Sequence, residues 1–282
     1  MKVLGLCFLI YDKINHEELW YNWLNNVDKK KYRIYIHYKN NTKLKYFEKN
    51  KLERCIKTKY AHVSLIHAHN ILFRTAYKDG CDKIISLSQS CVPLKPFNYV
   101  YNFLTKDDLS HFNITLDQQG VFPRCNAVKK YYHKNHIQKS SNWFILNRNI
   151  TKTICFNSMK KNHIIWKDIV SPEEHYFITE VYKNNLISET ICTPNLSSGA
   201  TTFTNWIGPK SPKNYTIITK DELDYLVNQP CLFGRKFDER CIVIKKDIPI
   251  LKNIAFLENI MLLFCEKLDN LTGYLSKNVF EL

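Results

Sequence analysis

The stretch Ser64–Ser88, SLIHAHNILFRTAYKDGCDKIISLS, decides the fold class. Ser64–Asp79 carries a helical pattern, and Gly80 follows where a helix end wants a left-handed residue. Lys83–Ser88 is then an apolar run short enough for a buried strand. Upstream, Lys2–Tyr11 reads as a strand, His16–Asn25 as a helix, and Arg33–His37 as a strand with period-two alternation. Downstream, Pro93 precedes a helix over Phe97–Thr105. Strand–helix alternation of this kind predicts an α/β chain with a mainly parallel sheet covered on both faces. Ligands of such sheets sit at the carboxyl ends of the strands, here near His37 and Ser88–Cys91.

Farther along, His111–Lys139 reads as irregular, Trp143–Leu146 as a strand, and Ile150–Ser158 and Pro172–Asn184 as helices. Thr193–Lys220 reads as loop-rich and Ile248–Leu268 as a packed helix. No internal repeat and no linker divides the chain, so a single domain over 1–282 is expected. Within it, 1–110 forms one half, 111–245 a second, and 246–282 a helical end.

Composition narrows the function. The chain has 282 residues, 45% hydrophobic and 13% aromatic, with 7 Gly and 9 Pro, which excludes disordered and collagen-like classes. Its 41 Lys+Arg against 26 Asp+Glu leave +15, which calls for an anionic partner: nucleic acid, anionic lipid or a phosphorylated small molecule. The ten cysteines form no Cys-x-x-Cys and lie mostly in apolar runs, as reduced core thiols do, although an even count leaves disulfides open. Lys2 and Val3–Tyr11 mimic a signal-peptide core, but no small-residue cleavage site follows. No apolar stretch reaches ~18 residues. The sequons at Asn113, Asn149 and Asn195 are read as incidental, and a cytoplasmic protein is expected.

Four local features carry chemistry. Lys29–Lys59 holds twelve Lys/Arg, broken by Glu48 and Glu53 and interleaved with tyrosines, as on a nucleic-acid surface or a solvated face. His67 and His69 stand two apart on a helix, point apart and cannot chelate one metal. Ser171-Pro-Glu-Glu174 has the form of a capping box, yet Glu174 could also project from the helix start as a general base. A full box would compete with an acceptor for the same oxygens. Leu232-Phe-Gly-Arg-Lys-Phe237 sets two cations between apolar anchors, the form of a diphosphate clamp or of a surface beside a core edge. Asp-x-Asp does not occur, and Glu222-x-Asp224 is the only near equivalent. A diphosphate would therefore be held by side-chain cations rather than by a divalent metal.

Several segments, in order, resemble the Core-2/I-branching glycosyltransferase family (glycosyltransferase family 14), especially its plant and microbial branch. They are Thr58–Leu65 (TKYAHVSL), Ser86–Leu94 (SLSQSCVPL) with Phe97 and Tyr101, Lys139–Arg148 (KSSNWFILNR), Ser171–Tyr176 (SPEEHY), Thr204–Trp206 (TNW) and Leu232–Phe237 (LFGRKF). The resemblance spans roughly residues 2–240. It implies a GT-A-like fold and an inverting, metal-independent transfer of a sugar from a UDP-sugar to a hydroxyl of a glycan or glycoprotein, with no cofactor. UDP-N-acetylglucosamine stands first among donors, ahead of UDP-xylose, UDP-glucose and UDP-galactose. Glu174 falls on the family's catalytic base, Lys236 with Arg235 on its diphosphate-neutralising cations, and Trp206 on its acceptor-facing tryptophan. Trp143 joins the acceptor side, while Lys59, His37 and Ser88 are donor-side candidates. His37 departs from the Asp that family members often carry there. The usual membrane anchor and stem are not expected, since the resemblance begins at residue 2. The Lys/Asn/Ile bias fits an AT-rich genome, a giant virus or a protist. The competing expectation is an inactive module of the same shape that binds nucleic acid or another polyanion through its basic face. What separates the two is whether Glu174 and Lys236 share one cleft.

Overall fold

Lys83–Ser88 forms strand β3, and every one of its residues is buried, the condition of a strand covered on both faces. The computed structural model describes residues 1–114, 124–157, 164–194, 201–206 and 211–244. Strand β1 (Leu4–Ile10) pairs in parallel with β3 on one side and with β2 (Tyr32–Tyr38) on the other. Beyond β3 come β6 (Ile145–Asn147), β5 (Ser110–Ile114) and β7 (Thr190–Pro194), giving the order β2-β1-β3-β6-β5-β7. Only β6 runs against its neighbours in this sheet. The chain is thus α/β with a mainly parallel central sheet flanked by helices, as expected.

The period of two sorts the core. Leu4, Leu6, Phe8 and Ile10 of β1, with Ile34, Ile36, Ile85 and Leu87, face helices α1 (Glu17–Trp23) and α3 (Phe97–Thr105). Cys7, Tyr35 and Ile84 face α2 (Ser64–Lys78) and the helix Glu173–Lys183. At the end of α2, Gly80 adopts φ +83°, the left-handed conformation that lets the chain leave a helix without a Cβ penalty. His67 is exposed while its neighbour His69 is buried against Phe73, so the two histidines diverge as expected.

A second sheet builds the site. Its order is β4 (Val92–Pro93), β10 (Phe233–Arg235) and β8 (Thr202–Thr204). Trp20 and Trp23 donate their indole N–H groups to the carbonyls of Cys91 at 3.0 Å and Lys95 at 2.8 Å. Both rings pack against Phe233. The backbone at Gly234 lies so near Leu94 that an added Cβ would meet its Cδ1 at 3.0 Å. Strand β11 (Phe237–Ile244) pairs in parallel with β9 (Tyr215–Thr219), and Phe237 stacks on Tyr215. Phe233 and Phe237 are both fully buried, each worth ~1.5–3 kcal/mol of transfer free energy. These anchors hold the backbone of Arg235 and Lys236 in place.

Several expectations need correction. The stretch read as irregular from His111 begins inside β5, and the stretch read as loop-rich from Thr193 contains β8, β9 and the end of β7. These four short strands gave no strand signal, because their partners rather than their composition hold them. The capping box at Ser171 does not form. Ser171 takes φ +52°, and the helix has no side-chain cap. The capping box that does form is at Thr219, whose Oγ1 accepts from the Glu222 N–H at 3.1 Å while the Glu222 carboxylate accepts from the Thr219 N–H at 3.1 Å. The nine described cysteines are free thiols, all buried but Cys55 and Cys192. The helix expected at Ile248–Leu268, the sequon at Asn195 and Cys265 lie outside the described residues. Among the described residues no helix is long and apolar enough to cross a membrane.

Candidate active site

Four segments meet beyond the carboxyl end of β3. Leaving that strand, Ser88 sets its hydroxyl 3.2 Å from both the Ser90 hydroxyl and the Cys91 thiol. Cys91 in turn lies close enough to Arg235 for the two side chains to interact electrostatically. The Ser90 carbonyl accepts from the Phe237 N–H at 3.0 Å, which ties the segment after β3 to the chain just past the two cations. The third segment, Lys139–Trp143, docks on the helix Glu173–Lys183: the Ser140 N–H donates to the Glu174 carbonyl at 2.8 Å. That contact brings Lys139 Nζ to 3.6 Å from the Glu174 carboxylate. The fourth is Ser171–Glu174, whose entry is fixed by the Ser171 N–H donating to the Ala61 carbonyl at 3.2 Å. Ala61 and Ser171 both hold positive φ, +51° and +52°.

Glu174, spared from capping, has its side chain 29% exposed and faces Arg124 Nη1 at 3.2 Å as well as Lys139. Ion pairs at this exposure contribute at most about 1 kcal/mol each. An incoming hydroxyl can therefore displace them. Arg235 lies over the Trp143 ring, 4.2 Å from its centroid, a contact worth ~2 kcal/mol where water is excluded. Burial lowers the Arg235 pKa, while Cys91 and the charge of Glu174 act the other way. Glu174 is thus within electrostatic reach of Arg235. Lys236 is exposed, and burial of its stem together with the Arg235 charge lowers its pKa.

Glu173 differs sharply from its neighbour. Only 5% exposed, it receives one long bond from Asn142 Nδ2 at 3.5 Å, and its Oε2 has no partner among the described residues. Burial, helped by the Glu174 charge, pushes its pKa up to about 7. Sequence reasoning gave no role to Glu173, Arg124 or Lys139. Lys139 opens a family-like segment and could have been found there. Arg124 sits in a stretch without local signal.

The other candidates are placed as follows. Trp206 is 57% exposed and bridges to Pro212. Its neighbour Asn205 donates to the Tyr215 hydroxyl, and the Tyr215 N–H donates to the Lys236 carbonyl at 2.7 Å. Lys59 is exposed on the loop before α2, where its N–H donates to Ser64 Oγ at 2.9 Å. That loop contains Ala61 and so touches the Ser171–Glu174 segment. His37 is wholly buried, its Nε2 accepts from the Ile56 N–H at 3.1 Å, and burial lowers its pKa to about 4. The structure brings the segments of Glu174, Arg235, Trp143 and Ser88 together, leaves Lys236 exposed beside Arg235, and keeps His37 inside the protein.

The basic stretch has another arrangement. Lys31, Lys39, Lys45 and Lys51 lie over the rings of Tyr101, Tyr11, Tyr46 and Tyr38, at 4.7 to 5.4 Å from the centroids. The faces that nucleobases would stack on are in part covered by the chain's own cations.

The Core-2/I-branching enzyme family model matches residues 6–227. The chain belongs to that family, a family of glycosyltransferases. It is similar to glycosyltransferase BC10 of Oryza sativa subsp. japonica, 21% identical over 155 residues. That match covers 51% of this chain, and the chain spans 38% of that relative. Among solved structures it is similar to a glycosyltransferase involved in the glycosylation of the major capsid of PBCV-1. There the TM-score is 0.42 and the identity 11%, covering 83% of this chain and 92% of that one. It is also similar to the galactosyltransferase LgtC in complex with donor and acceptor sugar analogues. There the TM-score is 0.40 and the identity 10%, covering 93% and 96%.

Proposed function

We propose that this chain is a GT-A-like glycosyltransferase that moves a sugar, N-acetylglucosamine first among candidates, from a UDP-sugar to a glycan or glycoprotein hydroxyl, with inversion and without a metal. The observation that carries the reading is that Arg235 lies 4.2 Å over the ring of Trp143 while the segment carrying Trp143 docks through Ser140 on the Glu174 carbonyl, beyond the carboxyl end of β3. Glu174 takes the hydroxyl proton as the acceptor oxygen bonds to the anomeric carbon from the face opposite UDP. The bond from that carbon to the β-phosphate oxygen breaks, and its electron pair leaves with UDP. Arg235 and Lys236 stabilise the charge that gathers there. Among the described residues no three His, Cys, Asp or Glu side chains are grouped to hold a metal ion.

Trp206 offers an exposed ring to the apolar face of an acceptor sugar, with Trp143 beneath Arg235 and Ser88 at the strand end. Lys59 reaches the donor side from the loop that contacts Ser171. The chain works as one catalytic domain, 1–110 serving the nucleotide and 111–245 the acceptor. Free thiols at all nine described cysteines suit a reducing cytoplasm.

The test is UDP release from a panel of UDP-sugars, with and without EDTA. Turnover is expected to persist in EDTA. Glu174→Gln and Lys236→Ala should each lose about 10²-fold or more while keeping their melting temperature. Loss of turnover on chelation would overturn the metal-free mechanism, and unchanged turnover in Glu174→Gln would overturn the base.

A further inference from the structure

A groove of about 1100 Å³ runs along the outer edge of β2, lined by residues from the end of α1, the first half of β2, the 46–54 segment and α2. It shares no residue with the candidate active site. It lies at the amino end of β2, whereas the site lies beyond the carboxyl end of β3, so one small molecule cannot occupy both. Its volume is at the upper end of what a single small ligand needs, which suits a segment of a chain.

The lining is cationic and polar. Lys29, Arg33, Lys49, Lys51 and Arg54 face Glu53 and Asp79. Lys51 pairs with Glu48, and Arg33 directs Nη1 to the carbonyls of Lys29 and Tyr32. Lys29, Lys49 and Arg54 form no ion pair among the described residues. Between them, Asn25, Asn26 and Asn50 supply amides of the kind that read hydroxyl groups. Part of the aromatic wall is covered, since Tyr21 and Tyr46 stack on each other at 4.3 Å and Lys45 lies over Tyr46 at 4.7 Å. A ligand here meets unpaired cations and hydrogen-bonding groups but little open π-surface. That combination matches a hydroxyl-rich, negatively charged chain better than a nucleic acid.

We propose that this groove is a binding site, separate from the active site, for an acidic glycan: an extended chain of sugars bearing carboxylate or sulfate groups. It would hold a charged glycan remote from the reacting hydroxyl. The occupant extends the glycan-acceptor reading, but the groove stands or falls on binding alone, without turnover.

The experiment measures binding of the full chain by calorimetry at two salt concentrations. The probes are a heparin-derived octasaccharide, a neutral chitin oligosaccharide and a single-stranded oligothymidylate of equal charge, with UDP binding followed in parallel. The octasaccharide is expected to bind more tightly than both comparators and to weaken as salt rises. The exposed-residue variant Lys29→Glu/Lys49→Glu/Arg54→Glu should lose octasaccharide affinity by about tenfold or more, equivalent to ~1.4 kcal/mol, with UDP affinity unchanged. If that variant fails to fold, Lys49→Ala/Arg54→Ala replaces it, with a loss of about threefold expected. Equal binding of the neutral oligosaccharide, tighter binding of the oligonucleotide, or undiminished octasaccharide binding in the folded variant would each overturn the groove. Failure to bind UDP, with octasaccharide binding intact, would instead count against the active-site reading and leave the groove standing.

Discussion

Replacing the buried carboxyl beside Glu174 should stabilise the protein increasingly as the pH rises above 4.5, and fully above about 7. Glu173 is 5% exposed and its pKa is pushed from 4.5 to about 7, chiefly by burial. The folded chain therefore holds this proton more tightly than the unfolded chain does. Below 4.5 both states are protonated, and the carboxyl's contribution to stability is fully present. Between 4.5 and about 7 only the unfolded state ionises, so stability falls with rising pH by up to ~1.4 kcal/mol per pH unit. Above about 7 the full loss, ~3 kcal/mol, is in place. Glutamine keeps an oxygen for Asn142 and cannot ionise. Glu173→Gln should match the wild type at pH 4.5 and exceed it by ~3 kcal/mol at pH 8.5. At ~2–4 °C per kcal/mol for a chain near this size, its melting temperature should lie about 6–12 °C higher there. Differential scanning calorimetry of both proteins at closely spaced pH values reads this directly. A melting-temperature difference that stays constant across the range would refute the assignment of a buried, reluctantly ionised Glu173.

Other outcomes follow from the same contacts. Thr219→Ala, which breaks the capping box that forms, should cost about 1 kcal/mol in chemical denaturation. Ser171→Ala, at the box that does not form, should cost well under half of that; an equal loss would restore the capping reading. Trp143→Ala removes the surface on which Arg235 rests, so UDP affinity should fall by about 3- to 30-fold. Trp143→Phe should recover part of that loss, and unchanged affinity in the alanine variant would separate Arg235 from the diphosphate. In the wild type, His37 should stay neutral across pH 5–8, with no imidazole titration seen by NMR in that range; a midpoint near 6.5 would show that its burial is misjudged.

The central strands were legible because burial on both faces leaves a plain mark: β1 and β3 are short, nearly unbroken apolar runs, and α2 ends on a glycine. The anchoring of the chain around Arg235 and Lys236 was legible, because Phe233 and Phe237 are both buried as their flanking positions suggest, whereas a role for the two cations came only from the family resemblance. Strands such as Thr202–Thr204 were not, since residues this short take their conformation from the strand beside them. Most instructive are Ser171–Glu174 and Thr219–Glu222, which carry the same cap-x-x-Glu signature. Only the second forms a box. The difference lies in the backbone of Ser171, drawn into the left-handed region where its N–H meets Ala61, a contact 110 positions away that no local pattern records. The pairing of Glu174 with Arg124 was hidden for the same reason.

The contact between Ala61 and Ser171 also tells which substitutions could disturb Glu174. It is a joint of main chain to main chain, so side-chain truncation along either segment passes over it: one partner is already alanine, and the other gives its N–H rather than its hydroxyl. Holding two non-glycine residues there costs about 1–2 kcal/mol each, a load that the surrounding packing must carry. Removing the N–H itself, as in Ser171→Pro, is what would release Glu174 from its register. The position of Glu174 is therefore inherited from a loop that precedes it by more than a third of the chain, and drift in that loop would be felt first at the start of this helix.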